Sequence, residues 1–553
     1  MATPVALVRA PIDPAAKLYC VSYAPFRGNQ TPLNSALIVS PQQIEEDLID
    51  LAKVSQCVRT YSVDNGLDKV PELASKVGLK VLLGVWIGNE KRKNAMLADT
   101  AISLAEAYPD TVKAIIVGNE VLLRGDMTAS DLRETIRSVK ARTKIPVTYA
   151  DVWEYWLRYR EVAADVDFVT IHVLPYWEDI PIRAEDAAAH VVAIQKRVAA
   201  AFPGKEILIG ETGWPSNGRM REGALPSRTN QARIVAEILD QAQREKFRVN
   251  LIEAYDALWK REWEGTVGGN WGLFDGVYRK LKYPAGVAIS NHPFWKWQLG
   301  SGMLLAVLVF AVAGLALRGR PWPPRLACWV AVGISATTAG ALLGLAADKM
   351  LYESYGIGRW IGWSSLLAAA IASPLLCANA LMSGRTLPTF LELMGPREGR
   401  TRSVPPIVLG IVLIITTLNA SETALGLLFD PRWRDFAFAS LTMAVVPFWT
   451  LTLLNRPKSG TRPLAETVFA GLFAATAIYA TFNEGFDNWQ ALWTSAAYLL
   501  LAATLWQARC AAVAGKTSTS AVAVSEVSSS RQQRHDVQSE RHPRIAETSV
   551  TQG

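Results

Sequence analysis

The sequence predicts an α/β fold, a parallel eight-stranded (β/α)8 TIM barrel, followed by an α-helical polytopic membrane domain. Three observations predict it. Over residues 17 to 290, short β-branched or aliphatic runs alternate with amphipathic helical stretches, as in parallel α/β proteins. Eight such runs occur. After Trp297 the pattern gives way to long apolar runs separated by short loops.

The strand candidates are Leu18–Tyr23, Cys57–Tyr61, Val81–Trp86, Ala114–Gly118, Val147–Asp151, Phe168–Val173, Ile207–Glu211 and Val249–Tyr255. Between them Pro41–Ser55, Ala129–Arg142, Ala187–Ala201 and Asn230–Glu245 carry helical periodicity. Eight strand–helix units in about 280 residues suit a closed barrel better than an open doubly wound sheet. An open sheet would usually place a Gly-rich phosphate turn after its first strand, and Ala24-Pro25-Phe26-Arg27-Gly28 is no dinucleotide fingerprint. The expected organisation is an N-terminal lead at 1–16, the barrel at 17–296, the membrane domain at 297–507 and a disordered cytoplasmic tail at 508–553, rich in Ser, Thr, Gln and charge.

Apolar spans are expected near 299–317, 327–347, 361–382, 405–429, 436–454, 465–482 and 489–507. Most reach the roughly 20 residues that a helix needs to cross a bilayer core of about 30 Å. They lack the polar stripes of a soluble bundle. Glu422, inside the fourth span, marks either a polar path or a position near the outer interface, and the second reading is the simpler.

The 553 residues are 50% hydrophobic, too apolar for a disordered chain, and carry a formal charge of +7 from 57 Lys/Arg and 50 Asp/Glu. Residues 1–296 hold 37 basic and 36 acidic side chains, so the excess belongs to the apolar half. A nearly neutral barrel disfavours a nucleic-acid partner. Within the apolar half, the segments after the first, third and fifth spans and the tail hold 16 basic residues. The opposite loops hold four, Lys349, Arg359, Arg432 and Arg434. This asymmetry places the C-terminus in the cytoplasm and the barrel outside. Met1 to Cys20 lacks the charged start and apolar stretch of a cleavable signal, so translocation is expected to rest on the first span. The five cysteines are too scattered for a disulfide framework, and buried free thiols are expected. The five histidines have no ligand spacing, so neither a metal nor another cofactor is expected.

In a barrel of this kind the chemistry lies at the C-terminal ends of the strands. Those ends are Tyr23, Tyr61, Trp86, Asn119-Glu120, Asp151 with Trp153, His172 with Tyr176 and Trp177, Glu211, and Tyr255-Asp256. Aromatic faces stack on sugar rings while carboxylates and amides take hydroxyls, so a carbohydrate cleft is the natural inference. Cleaving a glycosidic bond needs an acid at the leaving oxygen and a second carboxylate at the anomeric carbon. Glu120 and Glu211 are the expected pair because both follow hydrophobic strands, Ala114-Ile115-Ile116-Val117-Gly118 and Ile207-Leu208-Ile209-Gly210. Asn119 suits a hydrogen bond to a sugar 2-hydroxyl. Gly88-Asn89-Glu90 is a rival, but Lys91-Arg92-Lys93 follows it as in a solvated helix start. Trp153, Tyr155 and Trp156 are as well read as helix packing as sugar platforms, and Trp263 and Trp271 divide evenly between the two.

Val117-Gly118-Asn119-Glu120, then Gly210-Glu211-Thr212-Gly213-Trp214-Pro215-Ser216, then Glu253-Ala254-Tyr255-Asp256 with Trp259-Lys260 and Asn270-Trp271-Gly272-Leu273-Phe274, together resemble glycoside hydrolase family 17. That family contains β-1,3-glucanases and β-1,3-glucanosyltransferases. The resemblance covers about residues 17 to 290 and implies a retaining (β/α)8 enzyme with Glu120 as acid/base and Glu211 as nucleophile. Tyr61, Tyr176, Trp214, Tyr255 and Lys260 match family positions near the cleft. The sequence departs at Ala257, where many members have Glu, which puts in doubt a carboxylate often linked to Lys260; Glu262 or Glu264 are the available replacements. With the membrane half, the arrangement looks like bacterial inner-membrane proteins that remodel, branch or cyclise β-(1→3),(1→6)-glucans. The partners so implied are β-glucan, membrane lipid and a separate β-glucan synthase. The rival readings are a plain endo-β-1,3-glucanase and a non-catalytic glucan sensor or synthase scaffold.

Overall fold

The computed structural model describes residues 17–318, 325–395, 403–455 and 460–509. The lead at 1–16 and the tail from Cys510 onward, with His535 and His542, lie outside the described residues. Eight parallel strands close in sequence order, β1 pairing with both β2 and β8. They are β1 Cys20–Ser22, β2 Cys57–Arg59, β3 Lys80–Val85, β4 Val112–Asn119, β5 Val147–Val152, β6 Val169–His172, β7 Ile207–Thr212 and β8 Arg248–Leu251. Each falls within a residue or two of an expected run, except that β8 stops at Leu251 and leaves 252–255 outside the strand.

Alternation along the strands sorts side chains into two populations. One set, including Val21, Val58, Val81, Leu83, Ile115 and Val117, joins the main core beneath the outer helices. The other forms a small separate cluster of Cys20, Cys57, Leu82, Ala114, Ile116, Ala150 and Leu208. On the strands of that second set, one step of two residues further along, stand Arg59, Gly210 and, on β6, His172. The interior therefore changes from apolar to polar toward the C-terminal ends.

The structure corrects the expectation of free thiols at two positions. Cys20 and Cys57 form a disulfide across β1 and β2, with Cα atoms 4.3 Å apart. Neighbouring parallel strands bring two inward-facing residues this close, a coincidence that linear spacing does not reveal. Cys328 and Cys377 are free and buried.

Among its described residues the second half holds seven long helices, Trp295–Ala316, Leu326–Glu353, Gly356–Met382, Val404–Phe429, Phe438–Leu454, Leu464–Glu484 and Trp489–Trp506. Five of them, all but Phe438–Leu454 and Trp489–Trp506, are long and apolar enough to cross a membrane, against the seven expected spans. Phe438–Leu454 is apolar but has only 17 residues. Its flanks are almost wholly buried among the other helices, so it needs little lipid-facing length. The first helix instead exposes Met303, Leu304, Val307 and Phe310, an apolar surface that a lipid phase would cover. Glu422 is exposed and pairs with Arg434 at 3.3 Å, in the loop that follows its helix, which fits the interfacial reading.

Barrel and helices are joined by buried polar contacts. Arg219 pairs with Glu484, both almost fully buried. Asn488 donates to the Met220 carbonyl at 2.9 Å, and the Met220 amide donates to Gln490 at 2.9 Å. Thr266 donates to buried Asp435 at 2.7 Å. All the helical-domain partners follow the fourth helix or flank the turn between the sixth and seventh, so they share the end of the bundle at which the barrel's last residues enter the first helix.

The disulfide closes a segment of sequence separation 37. In the chain-entropy account such a closure is worth about 4 kcal/mol. The double variant Cys20→Ser/Cys57→Ser is therefore expected to lower the thermal midpoint of barrel unfolding by several degrees. Addition of reductant should lower the wild-type midpoint and leave the double variant unmoved.

Candidate active site

Glu120 follows β4 in the left-handed region, φ 54°, two residues after Gly118 at φ 90°. A non-glycine residue there costs about 1–2 kcal/mol, and such strain persists only where surrounding contacts enforce it. Here the Glu120 amide donates to the Ala150 carbonyl at 2.8 Å, and Arg124 donates to the Asn119 carbonyl and to that of Ile87. The turn is pinned so that the Glu120 side chain meets His172, whose Nδ1 lies 2.7 Å from Oε1.

Glu211, within β7 and 5% exposed, is held from below. Its Oε1 accepts from Tyr61 Oη at 2.8 Å and from Arg59 Nη1 at 3.1 Å. The Arg59 guanidinium, 1% exposed, also donates to the Gly210 carbonyl at 2.7 Å and to Asn119 Oδ1 at 2.5 Å, and reaches His172 Nε2 at 3.3 Å. An arginine can only donate, so Nε2 accepts and Nδ1 carries the proton that goes to Glu120. Arg59 thus orients a carboxylate, an amide and an imidazole from three other strands.

Burial pushes the Glu120 carboxyl up, but the His172 hydrogen bond and the charges of Arg59 and Arg124 outweigh it and leave the group below the ordinary carboxylate range. Burial, then the charge on Glu211, raises the Tyr61 phenol well above its usual value, so it stays a donor. Beside Glu120, burial pushes Asp151 up to about 6, although Tyr149 donates a hydrogen bond to it. Lys260 pairs with buried Glu253 at 3.0 Å. Burial pushes Glu253 up to about 7, against the pull of Lys260. Burial is also the chief cause of a raised Glu264 carboxyl, joined by repulsion from Glu120 and Glu211.

Of the expected residues, Tyr61 and Asn119 converge with Glu120 and Glu211 through Arg59, and Lys260 joins them through the neighbouring charges of Glu253 and Glu264. Tyr176, Trp214 and Tyr255 do not point free polar groups at this cluster. All three are buried, and they donate to the carbonyls of Arg219, Leu225 and Asp47 respectively. The partner of Lys260, in doubt because of Ala257, is Glu253, with Glu264 nearby. Trp156 is packing, 2% exposed and bonded to the Thr170 carbonyl; Trp271 is 3% exposed and Trp263 62%. Arg59 is missing from the residues that the sequence offers. Its signal is the two-residue alternation Cys57, Arg59, Tyr61, which puts a charge on the inward face of an apolar strand. Glu120, His172 and Glu211 bring ligand atoms within 4.8 Å of one another, a spacing that a cation could use. The Arg59 guanidinium already supplies a fixed positive charge to two of the three.

Residues 20–272 match the family model described as the BtgE/BtgC glycoside hydrolase domain. That match takes in nearly the whole barrel. Among curated relatives, a probable beta-glucosidase btgE of Aspergillus fumigatus is 31% identical over 225 residues, 39% of this chain and 39% of that protein. The chain thus spans about two fifths of the length of that relative. A glucan 1,3-beta-glucosidase of Candida albicans is 27% identical over 264 residues, 43% of this chain and 84% of that one. Among solved structures, the glycoside hydrolase family 17 beta-1,3-glucanosyltransferase from Rhizomucor miehei is 24% identical, with a TM-score of 0.41, over 48% of this chain and 98% of that chain.

In the folded barrel Asp151 holds its proton more tightly than in the unfolded chain. Folding then takes up a proton between roughly pH 4 and 6, so this group's contribution falls as pH rises through that window. Asp151→Asn is expected to remove that slope. Thermal midpoints measured from pH 4 to 7 should show the variant gaining on the wild type by roughly 2–3 kcal/mol across the window.

Proposed function

We propose that the barrel is a retaining β-1,3-glucan transglycosylase that breaks and remakes glucan at a membrane through an ester on Glu211. The separation of the carboxylates carries this reading. Their oxygens lie within 4.8 Å, close to the roughly 5–5.5 Å of retaining enzymes and well short of the 6.5–9.5 Å that leaves room for an attacking water.

In the first step Glu120, protonated, gives its proton to the glycosidic oxygen while a Glu211 oxygen bonds to the anomeric carbon and the aglycone leaves. In the second, Glu120 as carboxylate takes the proton of an acceptor hydroxyl, which attacks the anomeric carbon and releases Glu211. The His172 hydrogen bond favours the ionised Glu120 of the second step. A sugar seated over Glu120 would remove its remaining water and favour the protonated form needed for the first. Hydrogen bonds from Arg59 and Tyr61 aim Glu211, and Asn119 and Lys260 serve the sugar hydroxyls.

Glucan as substrate is supported by the relatives named for β-glucosidase and glucan 1,3-β-glucosidase activity and by the nearly neutral barrel. Transfer over hydrolysis is supported by tethering, since an anchored enzyme beside an emerging glucan meets acceptor at high local concentration. That placement also suits branching or cyclising β-(1→3),(1→6)-glucan next to a separate synthase. An inner-membrane location with the barrel outside draws on the five long apolar helices, the basic loops and the Cys20–Cys57 disulfide, which an oxidising compartment preserves.

Incubating the purified full-length protein with laminari-oligosaccharides tests transfer against hydrolysis. Products longer than the donor are expected; shorter sugars alone at high donor concentration would make the enzyme an endo-β-1,3-glucanase. Glu211→Ala and Glu120→Ala should each cut turnover by about 10³-fold. Unchanged turnover in Glu211→Ala would overturn the assignment.

A further inference from the structure

The sugar cleft of a barrel enzyme is normally walled by the barrel's own loops. In this chain a loop of the helical domain packs against the barrel segment that follows β8. The segment after β8 carries Lys260, Trp263 and Glu264 and is docked on the loop 430–437. A Cβ at Gly265, φ 68°, would lie 2.5 Å from the Trp433 carbonyl oxygen, and Thr266 bonds Asp435. Glu264 stands one residue before that contact, and the charges of Glu120, Glu211 and Arg432 all act on its carboxyl.

Trp433 meets Trp177, five residues beyond His172, with ring centroids 5.3 Å apart. Trp177 in turn stacks on Trp271. Arg432 lies over both exposed-side indoles, 5.4 Å from the Trp177 centroid and 5.1 Å from that of Trp433. Arg221, which also approaches Trp177, spends a donor on the Tyr176 carbonyl at 2.7 Å. Arg432 is exposed and has no hydrogen bond or ion pair among the described residues. An aromatic step topped by a guanidinium with free donors matches a glucosyl unit, whose apolar face stacks while its hydroxyls accept.

We propose that the loop 430–437 of the helical domain completes the cleft, Trp433 and Arg432 forming with Trp177 a binding subsite for a glucosyl unit of a β-1,3-glucan chain. The proposal deepens the functional reading above and rests on it. It makes the helical domain part of the substrate site as well as an anchor. A chain long enough to reach the loop gains contacts that a short one lacks, so the enzyme favours long glucans close to the membrane.

The test uses the full-length protein in detergent, with laminarihexaose and laminaribiose as probes. In Trp433→Ala, KM for the hexaose is expected to rise at least tenfold with kcat within threefold, and Trp433→Phe should restore most of the affinity. Arg432→Ala, at an exposed position, should raise the same KM at least threefold. In a Glu211→Gln background, calorimetry should show the hexaose bound at least tenfold more weakly when Trp433 is Ala, with a smaller change for the biose. Hexaose KM and Kd within twofold of wild type in both Trp433→Ala and Arg432→Ala would overturn the subsite, as would equal losses for hexaose and biose. Absence of wild-type turnover on any β-1,3-glucan would instead overturn the functional reading, and the calorimetry would still decide the subsite.

Discussion

The buried guanidinium of Arg59 is the constraint on which the rest of the site depends. A charge that is 1% exposed is tolerable only when its donors are taken up, and inside a barrel the acceptors must come from other strands. They come from β4 through Asn119, from β6 through His172, and from β7 through Gly210 and Glu211. One cation from β2 thereby sets the spacing of the two carboxylates, directly for Glu211 and through His172 for Glu120. Satisfying Arg59 and preorganising the cleft are the same act, and this links the packing of the barrel to its chemistry.

The left-handed turn at Glu120 shows what that preorganisation costs. Gly118 and Glu120 hold positive φ so that a strand can end with its last carboxylate turned back over the barrel mouth. Burial alone would raise the Glu120 carboxyl. The surrounding donors reverse this for Glu120, while Asp151 and Glu253, with fewer or weaker partners for their size of burial, remain raised. Carboxyls at one barrel end are thus shifted in opposite directions, Glu120 down and Asp151 and Glu253 up, by the donors and charges around each as well as by depth.

Much of this was legible in the sequence. Short β-branched or aliphatic runs between amphipathic stretches located eight strands, because burial on both faces of a parallel barrel leaves little latitude in composition. Glu120 and Glu211 were legible because each ends such a run. Arg59 was hidden by the same rule, since a charged residue inside an apolar strand looks like an interruption until closure supplies its partners. The Cys20–Cys57 bond depends on the pairing of β1 with β2, and the Lys260–Glu253 pair on the path of the chain after β8. Tyr176, Trp214 and Tyr255 illustrate the reverse: aromatic residues at strand ends can be walls beneath a cleft, with their polar atoms spent on the backbone. The joint between barrel and helices was the least legible part. Arg219, Glu484, Thr266 and Asp435 lie in loops, in a short helix or at a helix end, far apart in sequence, and nothing in their local pattern marks them as buried.

The central claim is that Glu211, held by Arg59 and Tyr61, bonds to the sugar while Glu120 moves the proton. It is tested most directly by trapping the intermediate on the full-length protein with a 2-deoxy-2-fluoro-laminaribiosyl fluoride, followed by proteolysis and mass spectrometry. The account predicts a stable adduct on the peptide that contains Glu211, and no adduct in Glu211→Gln. An adduct on another carboxylate, or steady turnover of the fluoride with inversion at the anomeric carbon, would contradict it.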